Sequence, residues 1–166
     1  GKYWFEQIAK MPVEVDVASE FRYREPPVSD RTLALFASQS GETADTLAAL
    51  RYMSGKADQI VGLVNVSESS IARESDVILP LYAGPEISVA STKAFTCQLT
   101  ILLIMALRAA QQRGIPLPEG MPSDLRAIPG LIHQSLMLEE QITASARTAL
   151  FWLACNSFTA PVGHKT

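Results

Sequence analysis

Apolar and polar residues follow two rhythms along this chain, and they alternate through its first two thirds. Residues 2 to 10 set Tyr3/Trp4, Phe5 and Ile8/Ala9 near one face at helical spacing, and Pro12 stops that helix. In Val13-Glu14-Val15-Asp16-Val17 valine and acid alternate with period two, which predicts a strand with one exposed face or at a sheet edge. After the Pro26-Pro27-Val28-Ser29-Asp30 loop, Thr32-Leu33-Ala34-Leu35-Phe36-Ala37 reads as an unbroken apolar run and predicts a central strand covered on both faces. A helix is expected over about 43 to 55, with Gly55 close to its C-terminal end.

The pattern then repeats. Gln59 to Asn65 predicts a strand, Ser69 to Arg73 a turn of helix, and Asp76-Val77-Ile78-Leu79-Pro80 a short strand. Strands alternating with helices point to a parallel α/β sheet. Residues 91 to 112 predict a long helix whose middle is apolar almost all round, suited to packing deep in a protein or at a subunit interface. The breaker-rich segment Gly114 to Pro122 reads as a linker. Beyond it, Leu131, Leu138, Ile142 and Ala146 share one face of a helix predicted over 124 to 148, and the apolar run Ala149 to Ala154 predicts the start of another strand.

Composition bounds what such a chain can do. With 166 residues and 48% hydrophobic positions it can bury one core, as one domain or as a piece of a larger protein. Seventeen acidic against 14 basic residues give a net charge of −3, and no basic stretch follows a polyanionic backbone, so nucleic acid is not an expected partner. Cys97 and Cys155 match neither a disulfide framework nor a zinc pattern, and the isolated His133 and His164 supply no metal constellation. A reducing compartment and no metal are expected. The most apolar run, Leu99 to Leu107, is short of the roughly 18 to 20 residues that span a bilayer, and the N-terminus lacks the features of a secretory signal. No membrane association and a cytoplasmic location are therefore expected.

The most informative segment is Ser38-Gln39-Ser40-Gly41-Glu42-Thr43, a loop between an apolar strand and a helix. In an open parallel sheet, ligands sit beyond the carboxyl ends of the strands, where the next helix offers free N–H groups and the positive end of its dipole. Three hydroxyls and an amide can donate to anionic oxygens, and Gly41 removes a Cβ that would hold the backbone away from a ligand. The composition suits a phosphate monoester used as a handle. Phosphoryl transfer is not indicated, since the GxxxxGK[ST] spacing, a lysine and a magnesium carboxylate are missing from the loop. The same serines and Thr43 could instead simply cap the helix, with Glu42 well placed in its first turn. Both readings stand on the residues alone.

A second loop, Ala83 to Lys93, precedes the long helix and could line the same pocket, with Ser91 or Thr92 as its cap and the backbone near Val89 facing the same end of the sheet. Glu86 could bond sugar hydroxyls or be a solvated or ion-paired glutamate. Lys93 has the wrong sign for a first helical turn, which favours a specific anionic partner. Asp16, Glu20, Arg22 and Arg24 read as a subunit-contact network or, more simply, a solvated edge strand. His133 reads as a surface or interface residue, Cys97 as a buried packing residue, and Tyr3 and Trp4 as core or interface anchors.

Four motifs taken together carry a family resemblance: Tyr3-Trp4-Phe5-Glu6, Ala18 to Arg24, Ser38 to Thr46, and Val89 to Phe95. In this order they resemble the first sugar isomerase (SIS) domain of the glucosamine-6-phosphate synthase family, the glutamine–fructose-6-phosphate aminotransferases, over about residues 2 to 148. The resemblance implies a three-layer α/β/α sandwich around a five-stranded parallel sheet of flavodoxin-like topology. It implies binding of fructose 6-phosphate or glucosamine 6-phosphate without cofactor, in a homodimer. Matched residue by residue, Ser38, Gln39, Ser40, Gly41 and Thr43 would hold the phosphate, Val89 would contact the sugar through its backbone, and Glu86 would lie at the pocket.

On that comparison residues 1–113 form a SIS domain lacking its first strand, 114–123 a linker, 124–150 a helix leading toward a second SIS domain, and 151–166 a tail without family match. The family's CGTS-type loop, its glutaminase cysteine and its proton-transfer residues find no match here, so no catalytic residue is expected in this chain. A sheet edge left open would favour pairing with another chain. Phosphosugar binding is the expected activity, with a non-catalytic phosphosugar sensor or a structural dimerisation module as the alternatives.

Overall fold

The structure is a computed structural model that describes the backbone of residues 1–85 and 92–157. It divides into two compact units, Gly1–Leu117 and the segment from Pro118 onward.

The first unit contains α1 (Lys2–Gln7), α2 (Ala18–Arg24), β1 (Leu33–Ser38), α3 (Ala44–Met53), β2 (Gln59–Val64), α4 (Ser70–Glu74), β3 (Val77–Pro80) and α5 (Lys93–Gln112). The three strands form a parallel sheet in the order β1-β2-β3, with Leu33 opposite Gln59 and Val61 opposite Val77. β2 lies in the middle and is buried along Ile60 to Val64. Its period-two alternation sends side chains to both faces. On one face Ile60 and Val64 meet Leu50, Ile71 and Ala72, with Phe36 and Leu47 packed around them. On the other, Leu63 meets Leu81 and Ala94, flanked by Cys97, Ile101 and Leu102 of α5. Helices therefore cover both faces, and the parallel α/β architecture expected from the sequence is observed, with three strands among the described residues where the resemblance implied five.

Three local devices tighten it. Asp76 closes the start of β3 by accepting from the Ile60 N–H at Oδ2 (2.7 Å) while its own N–H donates to the Ile60 carbonyl (3.0 Å). Arg51 of α3 forms a two-pronged ion pair with Glu74 of α4 at 2.8 and 2.6 Å. Gly62 lets α4 close on β2, for a Cβ there would stand 2.6 Å from Ser75 Oγ and 3.5 Å from Ile71 Cγ2.

Several elements differ from the sequence reading. Residues 13–17 form no strand, and Val15 and Val17 stand exposed. Alternation favours extended backbone, but a strand also needs a ladder partner, and among the described residues β1 pairs only with β2. Asp16 and Arg24, placed on a solvated edge strand or at a subunit contact, pair with each other, and Arg22 pairs with Asp45 of α3. β1 is not central: among the described residues it is an edge strand, with Leu33 53% exposed. An apolar run reports side-chain character, whereas strand order is set by the crossovers. α5 reaches the length and apolar character of a bilayer-crossing helix, beyond the nine-residue run, yet it packs Ala94, Ala106, Leu107 and Ala110 inside the unit. Cys97 is half-buried, and Tyr3 is exposed rather than an anchor in the core.

In the second unit the helix predicted over 124 to 148 is two helices, α6 (Met121–Leu136) and α7 (Glu139–Ser157). The Met137 and Leu138 N–H groups close onto the carbonyls of His133, Gln134 and Ser135, and the acidic pair Glu139–Glu140 opens α7 where the helix dipole favours it. No glycine or proline marks that break. The strand expected over Ala149 to Ala154 is helical, since α7 continues through it with no breaker to stop propagation.

Gly62→Ala is expected to cost about 1–3 kcal/mol in stability by denaturant unfolding. The cost should shrink in a Ser75→Ala background, which removes the closest clash; an equal cost in both backgrounds would place the strain elsewhere.

Candidate functional site

The carboxyl ends of the three parallel strands lead into three loops, 39–43, 65–69 and the segment after Pro80. The serine loop packs on the start of α4. Gly41 sits at φ +69°, and a Cβ there would lie 2.0 Å from Ser69 Oγ and 2.4 Å from Ser69 Cβ. The glycine thus makes room for Ser69, whereas the sequence reading gave it the task of admitting a ligand. The Gly41 carbonyl accepts from the Ile71 N–H at 3.0 Å, and Glu42 Oε1 accepts from the Ser70 N–H at 2.7 Å. The Ser70 hydroxyl and N–H, aided by Arg73, hold the Glu42 carboxyl below its ordinary range.

Within the loop the hydroxyls divide their work. Ser38, buried at the end of β1, accepts from the Gly41 N–H at 3.0 Å and shares a hydrogen bond with Thr43 Oγ1, also at 3.0 Å. Ser40 Oγ accepts from the Glu42 N–H at 3.2 Å. Thr43 occupies the N-cap position of α3, yet its side chain makes no capping hydrogen bond. Ser40 and Thr43 are exposed beside the helix terminus, and a hydroxyl that accepts one bond can still donate another. Simple capping, which the residues alone left open, is not what the hydroxyls do at α3. α4, by contrast, has a serine cap, where Ser69 Oγ accepts from the Ala72 N–H at 3.4 Å.

The structure brings Ser38, Gln39, Ser40, Gly41 and Thr43 together in one loop. Glu86, Val89 and Ser91 lie outside the described residues. Lys93, expected to face an anion, donates from Nζ to the Pro85 carbonyl at 2.6 Å and so serves the preceding loop. His133 lies exposed on α6.

Sequence reasoning passed over Asn65, the residue that ends the β2 segment. Its N–H donates to the Gln39 carbonyl at 3.1 Å, and its side chain holds Ala83 and Gly84. A carboxamide directly after an apolar strand was the available sign. A separate cleft of about 350 Å³ is lined by Lys2, Glu14, Val15, Asp16, Phe21 and Arg24, none of which belongs to these loops.

The SIS domain family model matches residues 1–108, well over half of the chain. This chain belongs to the SIS domain family. The glutamine–fructose-6-phosphate aminotransferase (isomerizing) of Mesorhizobium japonicum is 57% identical over 150 residues, which are 89% of this chain and 25% of that protein. The enzyme of the same name from Rhizobium meliloti is 63% identical over 114 residues, 69% of this chain and 19% of its own. Among solved structures, the C-terminal domain of glucosamine-fructose-6-phosphate aminotransferase from Francisella tularensis superimposes with a TM-score of 0.80 at 41% identity, covering 88% of this chain and 42% of that one. The SIS chain thus spans about a quarter of the length of these curated relatives.

Gly41→Ala should cost at least about 2 kcal/mol in the SIS domain, since left-handed backbone and the collision with Ser69 act together; a smaller shift in the unfolding midpoint would show that the loop can move away. The unfolded chain binds a proton at Glu42 more readily than the folded one. The stabilisation from Glu42 is therefore present above its ordinary value of 4.5 and is lost as pH falls through the lower folded value. Unfolding midpoints measured from pH 6 to pH 3 should fall less steeply in Glu42→Gln than in the unsubstituted chain.

Proposed function

We propose that this SIS domain binds phosphosugars through the serine loop, with fructose 6-phosphate and glucosamine 6-phosphate as its ligands. The observation that carries this reading is the uncapped N-terminus of α3 beside the exposed hydroxyls of Ser40 and Thr43. Backbone N–H groups and hydroxyls converging at a helix terminus match the oxygens of a phosphate monoester, and the dipole favours its charge. Ser38 orients Thr43 and the Gly41 N–H, Ser40 and Thr43 donate to the phosphate, and Gln39 borders the same group. Glu86 and Val89 are assigned to the sugar end. The names of the relatives supply the substrate class, since phosphate chemistry alone does not select a sugar.

Charge-assisted hydrogen bonds contribute about 1.5–3 kcal/mol each and a helix terminus up to about 2, against the entropic cost of association. A micromolar to millimolar affinity follows, suited to a reversibly bound metabolite. With a net charge of −3 the chain holds an anion by local donors and not by a generally positive surface. In this reading the chain contributes phosphosugar binding, as a homodimer in the cytoplasm, to the formation of glucosamine 6-phosphate for hexosamine synthesis. By itself it turns over no fructose 6-phosphate.

Calorimetric titration with glucosamine 6-phosphate is expected to show saturable binding that Ser40→Ala combined with Thr43→Ala weakens at least about tenfold. Absence of binding would leave a structural dimerisation module. Formation of glucosamine 6-phosphate from fructose 6-phosphate and ammonia by this chain would overturn the non-catalytic assignment.

A further inference from the structure

The loop leaving β3 is held by a side chain from the neighbouring strand. Asn65 donates from Nδ2 to the Gly84 carbonyl at 2.8 Å and accepts at Oδ1 from the Ala83 N–H at 3.0 Å. A carboxamide carries a donor and an acceptor in one plane, as the N–H of one residue and the C=O of the next require here, and a carboxylate does not. The loop needs such a hold, because Tyr82 at φ +52° and Gly84 at φ +68° place two of its residues in left-handed backbone. Lys93 adds a second clamp at the Pro85 carbonyl.

The same asparagine reaches the other way. Its backbone N–H bonds the Gln39 carbonyl at the start of the serine loop, two residues before Gly41. One residue therefore bonds the serine loop with its backbone and the β3–α5 loop with its side chain. It is half-buried and stands where β2, the most deeply buried strand, ends. A shift of the Gln39 peptide has a two-bond route to Ala83 and Gly84, with a rigid strand behind it as support.

We propose that Asn65 is a positioning residue that couples the serine loop to the β3–α5 loop, so that phosphate bound at the first is felt at the second. The coupling rests on the reading of the serine loop as a phosphate site. Asn65 acts through the two loops it ties.

The test is an amide NMR titration of the full chain with inorganic phosphate. In the unsubstituted protein the N–H signals of Gly41, Glu42 and Ala44 should move together with those of Ala83 and Gly84 along one saturation curve. In Asn65→Ala the serine-loop shifts should persist while those at Ala83 and Gly84 drop at least threefold. Asn65→Asp keeps the acceptor for Ala83 but turns a carboxylate toward the Gly84 carbonyl, so the Gly84 response should be lost and the Ala83 response kept. This variant keeps the test decisive if Asn65→Ala fails to fold. A merely structural role would lower the melting temperature and leave the ratio of the two responses unchanged. No movement at Gly41 to Ala44 in the unsubstituted chain would overturn the phosphate site itself. Movement there without any at Ala83 and Gly84, or equal ratios in the variants, would overturn the coupling alone.

Discussion

The candidate site depends on the close approach of the serine loop to the first turn of α4, where Gly41 and Ser69 meet with no room for a Cβ between them. That contact aligns the Gly41 carbonyl with the Ile71 N–H and Glu42 with the Ser70 N–H, so the loop is fastened by donors from α4. Once fastened, the loop bonds its own hydroxyls inward, Ser38 to the Gly41 N–H and to Thr43, and α3 starts without a side-chain cap. The fastened loop leaves the hydroxyls of Ser40 and Thr43 exposed beside the start of α3.

The parallel sheet makes this arrangement possible, because it delivers three loops to one end and buries β2 between helices on both faces. β2 can then act as a fixed post from which Asn65 reaches both neighbours. Glycine serves close approach twice, at Gly41 for Ser69 and at Gly62 for Ser75, and in both cases α4 is the element that comes near. The Arg51–Glu74 ion pair, formed between exposed groups, adds a weaker tether between α3 and the same helix.

Much of the fold was legible because helix and strand periodicities are local. β2, β3, α3, α4 and α5 appear within a few residues of their expected positions, and Gly55 stands beside the end of α3 as expected, whereas α1 ends at Gln7, short of the Pro12 taken to stop it. The errors share a cause. Residues 13–17 alternate correctly yet lack a ladder partner, and the apolar β1 proved to be an edge strand among the described residues. The break between α6 and α7 carries no breaker residue, so periodicity ran through it. Lys93 was read against the helix dipole, a field effect, whereas a single carbonyl within reach set its partner.

At the candidate site, residue type and spacing alone picked out the serine loop and its place after a strand, and suggested an anion as its ligand. They determined that much because hydroxyls, glycine and a following helix are local chemical facts. Only the tertiary structure decided between capping and an open terminus, gave Gly41 its neighbour and revealed Asn65 as a strut. Each of those depends on which groups from distant parts of the chain come within about 3 Å, and hydrogen bonds and steric contact act only at that range.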